Sequence, residues 1–576
     1  MKYMSTRLRL FIWVVLLLGF GLAHAETPPQ FAIASAHPFA TQAGIEILAA
    51  GGNAFDAAIA VTAALAVVEP YASGLGGGGF WLLHRARDGF EVMVDGRETA
   101  PLASTPAMYL DKSGIPMQNR SIDGASSAAI PGVPAGIEHL ARHYGRLPLL
   151  HSLTPAIRLA RAGFPVTRNY QELAEFRLHA LKNSPAAAAV FLKNGAVPPI
   201  GHLVIQSDLA KTLETLAKEG AQGFYSGLLG GMLVEGVRTA GGLWIRDDLA
   251  RYRVVERRPL IGNYRGIRVA SAPPPSSGGT VLLEILNILE GDELNALDRH
   301  SRTHLLIEAM RLGYRDRTLH LGDSDFVPVP LTRLLDKNYA SRLRRSVSLS
   351  KATLSEALWR MPNLHREAAN TSHFSVLDRE GNRVAATLSI NYPFGSGFVA
   401  PGTGVLLNDE MDDFVSSPGR PNVYGLVGGR ANQIAPGKRP LSSMTPTFLE
   451  TPDRVAILGT PGGSRIISMV LLGVLDFAAG RSPLSWVSLP RFHHQYLPDH
   501  VEYEPGALSE LEAATLRRRG HVLHELDRPY GNMQAILWNK TKGLVQAASD
   551  PRGEGVAALE ALPSPPACRT PVPRGR

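Results

Sequence analysis

The chain has 576 residues, 45% of them apolar and 19% charged, a balance ordinary for a soluble globular protein and unlike that of a disordered or fibrous one. Its formal charge of +8 is concentrated at the ends: Lys2, Arg7, Arg9, Arg569, Arg574 and Arg576 account for six, and the remaining +2 excludes a nucleic-acid footprint. The single cysteine, Cys568, excludes an intramolecular disulfide, and no HExxH or paired CxxC pattern offers a zinc site.

The N-terminus reads as a secretory signal. A basic start precedes an apolar run over residues 11–23, too short to span a bilayer comfortably, and Ala23-His24-Ala25 offers a small-x-small cleavage site. The mature chain is expected to begin near Glu26, periplasmic or secreted and without stable membrane insertion; an uncleaved anchor is the alternative. Residues 38–51 predict a helix ending at Gly51-Gly52, and Asn53 caps a second apolar helix over 56–68. Gly76 to Gly79 lack the Gly-Lys-Ser/Thr ending of a phosphate loop, so close backbone packing is the better reading. A strand ends at 92–95, directly before Gly96-Arg97-Glu98. Residues 140–289 are mostly helical in pattern, broken by a strand at 266–269 and by the rigid turn 273–279, which starts a helix over 280–289. Residues 349–370 show the weakest apolar periodicity of the middle and read as an exposed connection open to cutting.

The run Asn370-Thr371-Ser372-His373-Phe374-Ser375-Val376 opens a strand over 371–377; residues 378–382 form a turn cluster and 383–390 a second strand. In such a hairpin residue 371 faces 389 or 390, and Thr387, Ser389 and Asn391 share one face. A hydroxyl and an amide then stand beside Thr371, either as working partners or as an ordinary solvated strand face. A mid-chain threonine is a poor nucleophile. Once the bond before it is cut, its α-amino group (pKa about 7.7–8.0) lies beside the hydroxyl, and one residue supplies nucleophile and base. Beyond 371 the pattern turns strand-rich, and strands on both sides of a helical block indicate a layered α+β body. His493-His494 are poorly spaced for a shared metal and read as structural or superficial.

Further landmarks stand in order: Gly51 to Ala58, Leu75 to Phe80, Asp95 to Glu98, Pro273 to Gly279, Thr371 to Val376, Asn408 to Phe414, Arg439 to Met444, Gly459 to Arg465 and Ser549 to Arg552. With them the chain closely resembles the γ-glutamyltranspeptidases (glutathione hydrolases), N-terminal-nucleophile enzymes, from about residue 31 to 552. The resemblance implies a four-layer αββα sandwich made as a precursor that cuts itself between Asn370 and Thr371. The products would be a large subunit (26–370) and a small one (371–576, disordered from about 562) in one folded unit. It implies cleavage of the γ-glutamyl amide of glutathione and related compounds through a Thr371 acyl-enzyme. Water, an amino acid or a peptide would be the acceptor, with no cofactor or metal.

Roles carry over by position. Ser389, where the family usually has threonine, would orient the nucleophile; Gly462 and Gly463 would form the oxyanion hole. Arg97, Ser442 and Ser443 would hold the substrate α-carboxylate. Asn391, Glu410 and Asp413 would hold its α-ammonium, with Glu410 where many bacterial members have glutamine. Residues 418–429 match a lid loop with Tyr424 as its aromatic gate. Three alternatives remain: an acylase for another amide, of cephalosporin type, on the same scaffold; a binding homologue that never processes; and, weakest, a nucleotide-binding role for the glycine run.

Overall fold

Alternate residues of the first strand point into different cores. In β1 (Phe31–Ser35), Ile33 packs among helices while Ala32 and Ala34 face a second sheet, the period-two behaviour of a strand buried on both faces. The computed structural model describes residues 27–355, 371–415 and 421–560. The expected signal segment, Asn370, the first part of the lid stretch (418–420) and the tail from 562 lie outside the described residues. Among the described residues, no helix is long and apolar enough to cross a membrane.

Two helices follow β1 and cover one side of its sheet: α1 (Pro38–Ala49) and α2 (Ala54–Val68). Proline opens α1, where no intrahelical N–H is lost. A capping box opens α2: Asn53 accepts from the N–H groups of Phe55 and Asp56, and Asp56 accepts from the Asn53 N–H. Next come β2 (Gly78–Arg85) and β3 (Phe90–Gly96). The glycines before β2 let it approach its neighbours: a β-carbon on Gly77 would lie 2.1 Å from the Ser389 carbonyl oxygen, and one on Gly76 2.0 Å from that of Leu406. A strand, not a helix, follows them, so the close-packing reading stands.

After a helical stretch over 133–251 come β4 (Val255–Arg257), β5 (Leu260–Tyr264) and β6 (Ile267–Ser271), then α3 (Gly278–Leu289) and α4 (Arg299–His320). Sequence periodicity shows only the last of these three strands. β4 is too short for a period and is defined by its partner β3, more than 150 residues earlier. The hairpin of β7 (Ser372–Leu377) and β8 (Arg383–Ser389) forms as expected. β9 (Thr447–Glu450), β10 (Arg454–Gly459), the helix α5 (Ile466–Ala478), β11 (Gln534–Asn539), β12 (Leu544–Ser549) and β13 (Val556–Glu560) complete the body. α5 interrupts a region that reads as strand-rich, because a continuous apolar run carries no period to separate helix from strand.

A seven-stranded sheet runs β13-β1-β7-β8-β2-β3-β4, and a six-stranded sheet runs β12-β11-β10-β9-β6-β5. Ile33, Trp81, Phe374 and Val384 face the helical layer of α1, α2 and residues 133–251. Ala34, Phe80, Leu82 and Ala385 face the second sheet, whose far side carries α3, α4 and α5. The result is the αββα sandwich, with one core on each side of the seven-stranded sheet.

Candidate active site

Register places the nucleophile candidate. Ser372 pairs with Leu388, so Thr371 stands opposite Ser389, and their hydroxyl oxygens are 3.3 Å apart. Ser389 Oγ also accepts the Asn391 N–H at 2.9 Å, which fixes the serine in place. Two residues along the same face, His373 Nδ1 and Thr387 Oγ1 are 2.9 Å apart. Burial pushes the His373 imidazole down to about 3, so the ring is neutral. Thr371 itself is only 7% exposed. The solvated-face alternative therefore fails: this face is walled by the second sheet, and a β-carbon on Gly459 would touch the His373 ring.

The opposite face of the hairpin meets the helices. Ser372 Oγ donates to Glu69 Oε2 at 2.6 Å, at the C-terminal end of α2, and Tyr71 OH donates to Glu69 Oε1 at 3.4 Å. Burial pushes the Glu69 carboxyl up from its ordinary 4.5 to about 7, against the Ser372 hydrogen bond and with help from nearby Glu554. Between those values the folded chain holds a proton that the unfolded chain releases, so this contribution to stability is full below 4.5 and is lost as pH rises to 7. Glu69→Gln is therefore expected to gain on the wild type by about 1.4 kcal/mol per pH unit across that window. Urea unfolding midpoints at several pH values would measure it, and a pH-independent gap would refute it.

Beside Thr371 lies a small pocket with about 20 Å³ of free volume, lined by Arg97, Ser389, Asn391, Glu410, Asp413, Tyr424, Ser442, Ser443 and Gly463. β3 delivers Arg97, whose N–H donates to Asp95 Oδ1 and whose Nε donates to the Pro440 carbonyl at 3.2 Å. Arg97 is 1% exposed and meets Glu410 at 2.6 Å, Asp413 at 2.6 Å and Glu98 at 3.4 Å. Burial alone would lower its pKa, but these three carboxylates hold it raised. Burial pushes Glu98 up to about 7 and Glu410 well above the carboxylate range, with Arg97 opposing in both cases. Apart from Arg97, neither oxygen of Glu410 has a partner among the described residues. Arg97 thus faces three carboxyls, two of which, Glu98 and Glu410, burial biases toward the neutral form.

Backbone donors and a tyrosine close the other side. Gly462 (φ 142°) and Gly463 (φ 54°) lie at the turn into α5, at the positive end of its dipole. A methyl group on Gly463 would lie 2.8 Å from the Tyr424 ring, so only glycine admits that ring. Tyr424 OH donates to the Asn391 carbonyl at 2.7 Å. The described lid residues are tied to the acidic loop: Asn422 donates to Asp413 at 3.1 Å and the Val423 N–H to Asp412 at 2.9 Å.

Every site residue expected from the sequence that lies among the described residues comes to Thr371; Gly462 does so from a second cleft that shares Thr371 with the pocket. Two buried groups were missed. Glu98 follows Arg97 directly and its motif was visible, yet nothing in the motif says that it shares the guanidinium. Arg317, on α4, donates to Ser443 Oγ at 3.3 Å and Ser277 Oγ at 2.9 Å; it carries no local signal. His493 and His494 are buried, His493 bonding Ser468 at 2.8 Å and Gln495 at 2.9 Å, which makes them structural rather than superficial.

A family model described as gamma-glutamyltranspeptidase matches residues 40–560. A glutathione hydrolase proenzyme of Pseudomonas sp. (strain A14) is 43% identical, covering 83% of this chain and 84% of its own. That of Escherichia coli (strain K12) is 40% identical, covering 92% and 91%. Among solved structures, a cephalosporin acylase from Bacillus halodurans aligns with a TM-score of 0.80 at 29% identity, over 92% of this chain and 96% of that one.

Proposed function

The chain belongs to the gamma-glutamyltranspeptidase family, and from that premise we propose that it is an exported, self-processing γ-glutamyl hydrolase/transferase acting on glutathione and related compounds. The Thr371 hydroxyl attacks the Asn370 carbonyl, the acyl group shifts from nitrogen to oxygen, and water hydrolyses the ester. The freed Thr371 then attacks the γ-carbonyl of the substrate. Its α-amino group takes the hydroxyl proton and passes it to the leaving amine as the amide bond breaks. Water or an acceptor amine attacks the resulting ester and releases Thr371. The N–H groups of Gly462 and Gly463 stabilise the oxyanion in both steps, and Ser389 orients the attacking oxygen.

The observation that carries this reading is the placing of a guanidinium, Arg97, against the carboxyls of Glu410 and Asp413 in the pocket beside Thr371. A γ-glutamyl head brings one carboxylate and one ammonium. The carboxylate takes the Arg97 fork, supported by Ser442 and Ser443. The ammonium takes the place of Arg97 between Glu410 and Asp413, with Asn391. Tyr424 then covers the bound head and excludes water. An acyl group without an α-amine supplies no such cation, which favours the γ-glutamyl substrate although a cephalosporin acylase shares the fold. Export rests on the N-terminal signal pattern.

Intact mass of the purified protein, beside release of p-nitroaniline from a γ-glutamyl anilide, tests this. Two fragments meeting at Asn370/Thr371, with release, are expected. Fragments without release would overturn the substrate; an uncut, inactive chain would overturn the enzyme.

A further inference from the structure

Thr371 is shared by two cavities of unlike character. On one side is the small charged pocket; on the other is a much larger cleft of about 580 Å³. If the acyl half of the substrate fills the first, the amine half must lie in the second. Charges in that cleft differ with depth. Glu69 is at the bottom, 4% exposed and one hydrogen bond from Ser372, with Glu554 beside it. At the rim are Arg168, which is exposed, and Arg528 and Glu172, each 55% exposed.

The other two cations of the cleft are committed elsewhere. Arg465 binds Glu502 at 2.8 Å, and Arg552 binds Glu504 at 2.7 Å. Arg528 has a loose contact of 3.7 Å with the equally exposed Glu172, and the Arg168 side chain makes no hydrogen bond or ion pair among the described residues. The cleft thus runs from acid beside the nucleophile to an opening where two arginines stand against the single carboxylate of Glu172. A short peptide with its amine at Thr371 and its C-terminal carboxylate outward matches that order of charge.

We propose that Arg168 and Arg528 form a carboxylate-reading subsite for the peptide on the amine side of the scissile bond, both the departing dipeptide and an incoming acceptor. This rests on the γ-glutamyl reading of the pocket. No covalent step is added: the subsite sets which amines are held at the acyl-enzyme.

The test compares glutathione with its glycine-amide, which differs only in the terminal carboxylate. The wild type is expected to prefer glutathione by about tenfold in kcat/KM, mostly through KM. In the Arg168→Ala/Arg528→Ala double variant that preference should fall to near one. Each ratio is taken within one protein sample, so the fraction of folded enzyme cancels. Equal use of both compounds by the wild type, or an undiminished preference in the variant, overturns the subsite. Failure of the wild type to release p-nitroaniline from the γ-glutamyl anilide removes the γ-glutamyl reading itself, and the subsite falls with it.

Discussion

Thr371→Ala is expected to yield a single uncut chain with activity reduced by roughly four orders of magnitude or more, because it removes the covalent route. The structural cost should be small. The Thr371 hydroxyl lies 3.3 Å from that of Ser389, and alanine leaves the β7–β8 pairing intact. Thr371→Ser keeps the hydroxyl and should restore cutting and turnover in part. Denaturing electrophoresis and the anilide assay read both properties. A normally cut, active alanine variant would remove Thr371 from the chemistry.

Arg97→Ala carries the second large effect, and it is double. Three carboxyls, from Glu98, Glu410 and Asp413, lose their common cation. Leaving buried charge uncompensated costs about 3–5 kcal/mol of stability. Loss of a two-pronged bond to the substrate carboxylate should lower kcat/KM by about a thousandfold. The stability deficit has a sign in pH. Acidification neutralises the orphaned carboxyls, so the gap from the wild type should narrow as pH falls below 7. Arg97→Lys should recover more stability than activity, since an ammonium supplies charge without the planar fork. A deficit that does not change with pH would mean that the carboxyls are not charged against Arg97.

How far the site could be read from the chain depended on distance along it. The pairing of Thr371 with Ser389 is a hairpin contact across a five-residue turn, and strand periodicity with turn chemistry gives its register. The Asn53/Asp56 capping box is equally local. Arg97 meets Asp413 across 316 positions, and no periodicity reports a contact of that kind. Family resemblance brought those residues together on paper, and it passed over Glu98 and Arg317, whose importance arises only from what surrounds them. The same limit explains β4 and β5, which are strands because partners lie beside them, and α5, whose uniform apolarity suits either helix or strand.

The strand order has a consequence for how such a protein can be made. In the seven-stranded sheet, β1 lies between β13 and β7, and in the six-stranded sheet β6 lies against β9. The segments before and after residue 371 are therefore woven through both sheets, and severing the bond ahead of Thr371 breaks no ladder. Two such pieces should not part on dilution, because separation would strip open both sheets at once. Made from separate genes, each would present bare strand edges and half a core, and would aggregate before meeting its mate. Continuity of the polypeptide is thus an assembly aid with a limited lifetime, needed until the weave is complete and dispensable afterwards.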